Sequence, residues 1–246
     1  MAHDLEYPGT GVLPDADSLY RARGEEVVRH RPVFTGDVFA KVTVQSVRAI
    51  KIKDVIVVQH PCALRSNGVD LHPRLLVAEV RRHSLIPADD WTGHVGKMPL
   101  PDLLPTVESG RRHQAAFFDE PYLAGSDELD LDKRIACLSQ AGVNILLQRW
   151  VNHNSRAVIP TFDYQTVSSP AFEEADIIEE WSEARIDAGL DLREALVEAM
   201  KWLREDSGTG ATRQRLLEDP QSRSTVRQQM RLALRQQSSG RRLGIV

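Results

Sequence analysis

The chain is poor in cysteine, in aromatic side chains and in long apolar runs, and each shortage removes a class of protein. Only Cys62 and Cys137 occur in 246 residues. They form no Cys-x-x-Cys pair, which argues against a zinc ribbon, a thiol redox motif or a disulfide-stapled secreted scaffold, and a reducing cytoplasm is the expected compartment. No apolar run is long enough to span a bilayer, so no membrane partner is expected. The opening residues, MAHDLEYPGTGVLPDAD, carry acids early and have no apolar h-region of the kind a secretory leader needs. Net charge is −4, so the molecule as a whole has no basic excess to draw it to nucleic acid. The four tryptophans, Trp91, Trp150, Trp181 and Trp202, fall one to an element and read as core rather than as a stacking platform.

What is present suits a soluble chain with a real core: 41% hydrophobic and 27% charged residues. Residues 1–30 are punctuated by Pro8, Gly9, Gly11 and Pro14 and read as a loose arm, with a short helix over DADSLYRARGEEVVRH stopped by Pro32. From about 31 to 120 the texture is that of strands. GDVFAKVTVQSVRAI alternates at period two, placing Val38, Ala40, Val42 and Val44 on one face. DVIVVQH is a continuous β-branched run, as in a strand buried on both sides, and RLLVAEVRRH and HQAAFFD read as further strands. Short strands joined by turn-rich links predict an SH3-like β-barrel or a bent antiparallel sheet. Residues 121–246 then turn mostly helical, which makes the fold class α+β. DLDKRIACLSQAGVNILLQRWVNHNSR has mostly helical spacing, with Ser139 as N-cap of its second half, and RAVIPTFDYQTVSSP reads as a loop or short strand. PAFEEADIIEEWSEARIDAG, DLREALVEAMKWLRE and a stretch from Thr212 to Gln237 notched at Pro220 complete the helices.

Three constellations bear chemistry. The first is the corner QHPCALR, where an apolar strand runs into His60, Pro61, Cys62 and Arg65. On a strand His60 and Cys62 would point the same way. A metal would need two more ligands from His30, His72, His83, His94, His113 or Cys137, none at a zinc spacing, so neither metal nor cofactor is expected. A buried Cys62 with His60 hydrogen-bonded where strand becomes loop is the structural alternative. The second constellation is Arg65, Arg74, Arg81 and Arg82, near the ends of two candidate strands, which with nearby histidines would suit a phosphate, or else are scattered charge on solvated loops.

The third constellation is a charge split. Residues 171–206 hold twelve acids against four bases, and residues 207–246 eight bases against two acids. Arg223, Arg227, Arg231 and Arg235 recur every four residues and form one helical ridge, followed by Arg241 and Arg242. Such a ridge tracks a nucleic-acid backbone, or docks on the acidic helices before it or on an acidic partner protein. The glutamates Glu173, Glu174, Glu179, Glu180 and Glu183 read as the wet face of a helix.

The stretches TGDVFAKV, DVIVVQHPCALR and RLLVAEV, taken in order, resemble the layout of PemK/MazF-type toxins, small SH3-like barrels many of which cleave single-stranded RNA. FFDEPYLAGSDELDLDKRIACLSQAGVNILLQRWVNHNSR resembles the later part of a poorly characterised prokaryotic family found in phage and mobile-element contexts. The resemblance spans Thr35 to Arg156. It carries over Gly36 and Asp37 as the strand-start turn and Gln59 to Arg65 as a possible site. The toxins' catalytic loop, rich in Gly, Pro and Arg, is replaced here by TVQSVRAIKIK. The resemblance implies an interaction module of a prokaryotic defence, toxin–antitoxin or mobile-element system, binding nucleic acid or a partner protein as a subunit of a complex or a homo-oligomer. The alternative is an RNase-like enzyme with His60 as general acid or base and Arg65 or Arg74 stabilising phosphorane charge.

Overall fold

The computed structural model describes residues 4–10, 13–45, 49–66, 70–105 and 112–242, the last five by backbone alone. Its strands are β1 (Tyr20–Arg23), β2 (Asp37–Gln45), β3 (Ile50–Val57), β4 (Arg74–Arg82), β5 (Lys97–Leu100), β6 (Gln114–Gly125) and β7 (Arg134–Leu138). The helices α1 (Gln140–Ser155), α2 (Thr161–Asp187), α3 (Leu192–Arg204), α4 (Arg213–Leu216) and α5 (Arg223–Arg242) follow. The fold is α+β. All seven strands join one antiparallel sheet in the order β1-β7-β2-β3-β4-β6-β5.

The sheet is bent but does not close into the SH3-like barrel that was the other expectation. The reason lies in β2. Phe39 pairs with Val55 but Val42 with Lys53, so Ala40 and Lys41 are bulged out. Lys41 takes φ +54° and its N–H is caught by Asp54 Oδ1 at 2.9 Å. A bulge bends its strand and sharpens the twist. The free edge of β2 is thereby divided. Asp37 to Phe39 pair with β7, and only Val44 and Gln45 reach β6. The alternation read from the sequence survives around the bulge: Val38, Val42 and Val44 are buried, and Phe39 joins them. In β3 the run Val55 to Val57 is buried as expected.

Several local expectations fail where long-range pairing overrides propensity. The helix expected after Asp15 is instead two 3-10 turns, Asp17–Leu19 and Gly24–Glu26, on either side of β1. Tyr20 pairs with Leu138 and Ala22 with Cys137, and Gly24 sits at φ +57°. The arm is tied down: Leu5, Leu13 and Leu19 are buried, and Glu6 caps α2 by accepting from Thr161 N at 2.8 Å and Thr161 Oγ1 at 2.6 Å. Gly11 lies outside the described residues. Ile135 and Leu138 belong to strand β7 rather than to a helix, but Ser139 is the N-cap of α1, accepting from Gly142 N at 3.1 Å. Of the segment expected as a loop or short strand before Pro170, residues 156–160 are irregular and residues 161–169 form the first part of α2, with Pro170 inside the helix. Proline there withholds one N–H from the helical ladder.

The chain divides into two compact units, 1–29 with 33–168, and 30–32 with 169–246. The boundary expected at residue 120 falls inside β6. In the second unit Ile177, Ile178 and Trp181 of α2 pack with Ala199, Trp202 and Leu203 of α3 and Val226 and Met230 of α5. Trp181 and Trp202 stack at 5.1 Å. Arg31 completes this unit, bonding Asp176 and Glu179, each at 2.7 Å.

The first unit turns on Gly36 and Asp37. Gly36, at φ +84°, donates to Val57 O at 2.8 Å and accepts from Leu138 N at 3.2 Å. A Cβ there would stand 2.8 Å from Val143 Cγ2 and 2.9 Å from Leu138 Cβ. Asp37 Oδ2 accepts from Phe34 N at 3.0 Å and from Arg134 Nη1 at 2.9 Å, while Arg134 Nη2 donates to Val28 O at 2.7 Å. Both side chains are almost completely buried. A second buried cation, Arg149 of α1, donates to the carbonyls of Trp91, His94 and Glu6 and lies 5.1 Å from the centre of the Trp91 ring. Its burial pulls the guanidinium pKa down to about 10.

Removing one partner of a buried ion pair strands the other charge, at a cost of about 3–5 kcal/mol. Asp37→Ala is therefore expected to lower the urea midpoint of the first unit by that equivalent, followed by tryptophan fluorescence. A midpoint equal to the wild type would show that the Asp37–Arg134 pair does not hold β2 to β7.

Candidate functional site

The corner proves to be a structural turn. Strand β3 ends at Val57, and Pro61–Ala63 form a 3-10 turn, so His60 and Cys62 do not share a strand face. His60 caps this turn, its Nδ1 accepting the N–H of Cys62 at 3.3 Å. Pro61 has no N–H and starts such a turn without loss. Gln59 stitches the corner to the sheet: its side chain accepts from Leu76 N at 3.0 Å and donates to Ala63 O, and its carbonyl accepts from Thr35 Oγ1 at 2.5 Å. Burial holds the His60 pKa below its ordinary value. Cys62 is exposed rather than buried. Among the described residues no group of three His, Cys, Asp or Glu side chains is placed to share a metal ion.

The other two residues expected in catalysis have separate posts. Strands β3 and β4 do pair as a hairpin. Arg65 forms an isolated bridge with Leu71 and reaches Val33 O at 3.4 Å. Arg74 opens β4 opposite Gly125, exposed. A nitrogen of His60 is already committed to a backbone amide, so the expected acid–base role has lost one of its two proton sites. Positions 67–69 of the intervening loop lie outside the described residues.

The arginine ridge is real, and its middle is turned onto the acidic helix of its own unit. Arg227 bonds Glu173 at 2.8 Å and reaches Glu180 at 3.4 Å and Asp176 at 3.9 Å. Arg231 meets Glu180 at 3.3 Å but stays 60% exposed. Arg223 is spent on Leu217 O at 2.9 Å and Ser169 Oγ at 2.7 Å. Arg235 lies further along α5, exposed at the surface. The side chains of Arg241 and Arg242 lie outside the described residues. Of the two readings of the ridge, docking on the acidic helix before it holds for its middle: Arg227 and Arg231 face α2, which supplies the acids at Glu173, Asp176 and Glu180.

A different cluster gathers on the sheet, around Phe117 of β6. Cross-strand register puts Glu79 of β4 and Lys97 of β5 directly opposite Phe117 on either side. Arg81 lies two residues on from Glu79, hence on the same face, and His83 follows just past the strand. The Arg81 guanidinium carbon stands 3.7 Å from the Phe117 ring centre, the Lys97 ammonium 5.4 Å and the His83 ring 6.1 Å. His83 Nδ1 lies 2.8 Å from Ser84 O, an acceptor only, so that nitrogen carries the proton. Its Nε2 is then the lone pair that accepts from Lys97 Nζ at 3.0 Å. Nearby His94 has its pKa held down by burial and by Lys97 and His83.

A second bulge aims acids at these cations. Ala78 pairs with Pro121 but Glu79 with Phe117, so β6 pushes out Phe118, Asp119 and Glu120. Asp119 accepts from Arg81 Nη2 at 3.2 and 3.3 Å, Glu79 from Lys53 at 2.8 Å, and Glu120 from Lys51 at 3.3 Å and from Tyr122 at 2.7 Å. Burial together with the Glu120 bond pushes the Tyr122 pKa up to about 12. Arg81 remains 42% exposed and Asp119 66%. Ion pairs this wet are worth about 0–1 kcal/mol, so a phosphate can displace the carboxylate. The sequence offered Arg81 as one of the clustered arginines which, with nearby histidines, would suit a phosphate. The signal that joins it to His83 is the alternation Glu79, Arg81, His83, but Lys97 and Phe117 come from other strands, and only the register brings them in.

No protein-family model matches the chain, and no curated protein matches it.

The His60 ring is expected to titrate by proton NMR with a midpoint below the ordinary value of about 6.5. A folded pKa below the unfolded one means the unfolded chain takes up the proton first. The contribution of His60 to stability is therefore full above about pH 6.5 and is lost as pH falls through the folded midpoint. A midpoint above 6.5 would contradict the buried cap. In the second unit, Arg227→Glu sets a carboxylate against Glu173 and Glu180 and is expected to lower stability by roughly 2 kcal/mol in urea unfolding, the scale of a lost charged hydrogen bond. An unchanged midpoint would mean the α2–α5 pairing carries no weight.

Proposed function

We propose that the chain is a nucleic-acid-binding interaction module without nuclease activity. The observation that supports this reading is the convergence of Arg81, Lys97 and His83 on Phe117, with Lys51 and Lys53 beside them on the sheet. Cations supply the sequence-independent attraction for phosphate, and an aromatic ring among them suits bases that are not already paired. The residues expected to catalyse serve other ends: His60 caps a turn, and Arg65 and Arg74 sit on separate elements. Lys97 makes no ion pair among the described residues, which leaves it the readiest phosphate ligand.

The protein would act as a subunit of a larger assembly, and the resemblance in layout points to a prokaryotic defence, toxin–antitoxin or mobile-element system. A reducing cytoplasm suits two free cysteines, one of them exposed. No helix among the described residues is long and apolar enough to cross a membrane.

The test is a gel-retention assay with labelled single-stranded RNA, read both for binding and for cleavage. Each phosphate contact predicts a loss of roughly two- to threefold in affinity between about 50 and about 200 mM salt, with the RNA intact. No retention at low salt would overturn the binding reading. Cleavage that disappears in His60→Ala would restore the nuclease.

A further inference from the structure

Resting on that nucleic-acid reading, we infer that Arg81 and Phe117 together form a stacking seat for one unpaired nucleobase, with the adjoining phosphate held by Lys97. The guanidinium of Arg81 is met from two directions. Phe117 lies in van der Waals contact beneath it, 3.7 Å from ring centre to guanidinium carbon, and Asp119 holds one amino group by both carboxylate oxygens. A planar cation stacked on a ring, with a weak exposed pair at one edge, is partly ordered before a base arrives. The open 42% of the side chain is what a base would cover. Unpaired bases stack on guanidinium planes as they do on aromatic rings.

Lys97 supplies the second half of the seat. One of its three N–H groups goes to His83 Nε2, which leaves two to meet a phosphate oxygen. His83 in turn is fixed by Ser84 O, so the ammonium is positioned rather than swinging on its stem. The partly buried Glu79 is shared, bonded to Lys53 at 2.8 Å and 3.9 Å from Arg81 Nε, so it bounds the seat from the side of β3 and leaves the face of the guanidinium away from Phe117 clear. In a duplex both faces of every base are already stacked, so a seat of this kind discriminates for single strands.

The experiment uses the full chain and fluorescence anisotropy with a short labelled oligouridylate, its deoxy counterpart and a duplex of the same length. The variants are Arg81→Lys, which keeps the charge but removes the plane, and Lys97→Met. Lys201→Met, an exposed α3 lysine outside the cluster, is the charge-matched control. Arg81→Lys is expected to weaken single-strand binding about tenfold with the salt slope unchanged. Lys97→Met is expected to weaken it and to reduce the slope by about 0.7, one phosphate's worth. Lys201→Met binds as the wild type does, and the duplex binds more weakly than either single strand. Wild-type affinity in Arg81→Lys, or equal affinity for duplex and single strand, would overturn the stacking seat and leave the nucleic-acid reading standing. No binding of any probe by the wild type would overturn that reading and the seat with it.

Discussion

The first unit depends on one buried ion pair, Asp37 with Arg134. It joins the start of β2 to the start of β7 and, through Phe34 N and Val28 O, fixes the segments that lead into both. Gly36 beside it lets the backbone turn where a side chain would collide with α1. Two desolvated charges are tolerated here because they face each other and each also meets the backbone, Phe34 N for Asp37 and Val28 O for Arg134. With β2 secured at its start by β7, its far end is left to bulge away and meet β6. The bent sheet is the consequence.

That bend governs where chemistry can sit. The edge of β2 is shared between two neighbours, β7 and β6, and two bulges, at Ala40–Lys41 and at Phe118–Glu120, bend the sheet. The second bulge sets Asp119 against Arg81 and Glu120 against Lys51, while the unbulged Phe117 stays in register with Lys97. Cations, acids and one ring are thereby brought onto a single surface from four strands. In the second unit Arg227 and Arg231 of α5 pair with acids of α2 instead, so part of the strongest electrostatic pattern in the sequence is turned inward on that unit.

What could be read from the sequence follows from the range of the forces involved. The apolar runs of β2, β3, β4 and β6 declare themselves because burial imposes a period of two or a continuous β-branched stretch. Ser139 announces a helix start because capping is local. Gly36 and Asp37 were legible as a turn, although the partner Arg134, 97 positions away, was not. The helix expected over residues 15–30 fails because β1 finds its partner more than a hundred residues later, and helical spacing in Ile135 and Leu138 misleads because β7 is buried on a sheet. His60 and Cys62 looked like a site because side-chain type is visible while geometry is not; a 3-10 turn beginning at Pro61 removes the shared face. Of the Phe117 cluster, Arg81 was in view among the clustered arginines; Lys97 and Phe117 were not, because only register makes them its neighbours.

The most direct measurement is amide hydrogen exchange on the full chain with and without a short single-stranded oligonucleotide. Binding at the sheet predicts added protection in β4 from Glu79 to Arg82, in β5 and around Phe117, with α5 and the corner at His60 unchanged. Protection confined to α5, or to residues 59–65, would place the contact elsewhere and contradict the assignment of function to the cations around Phe117.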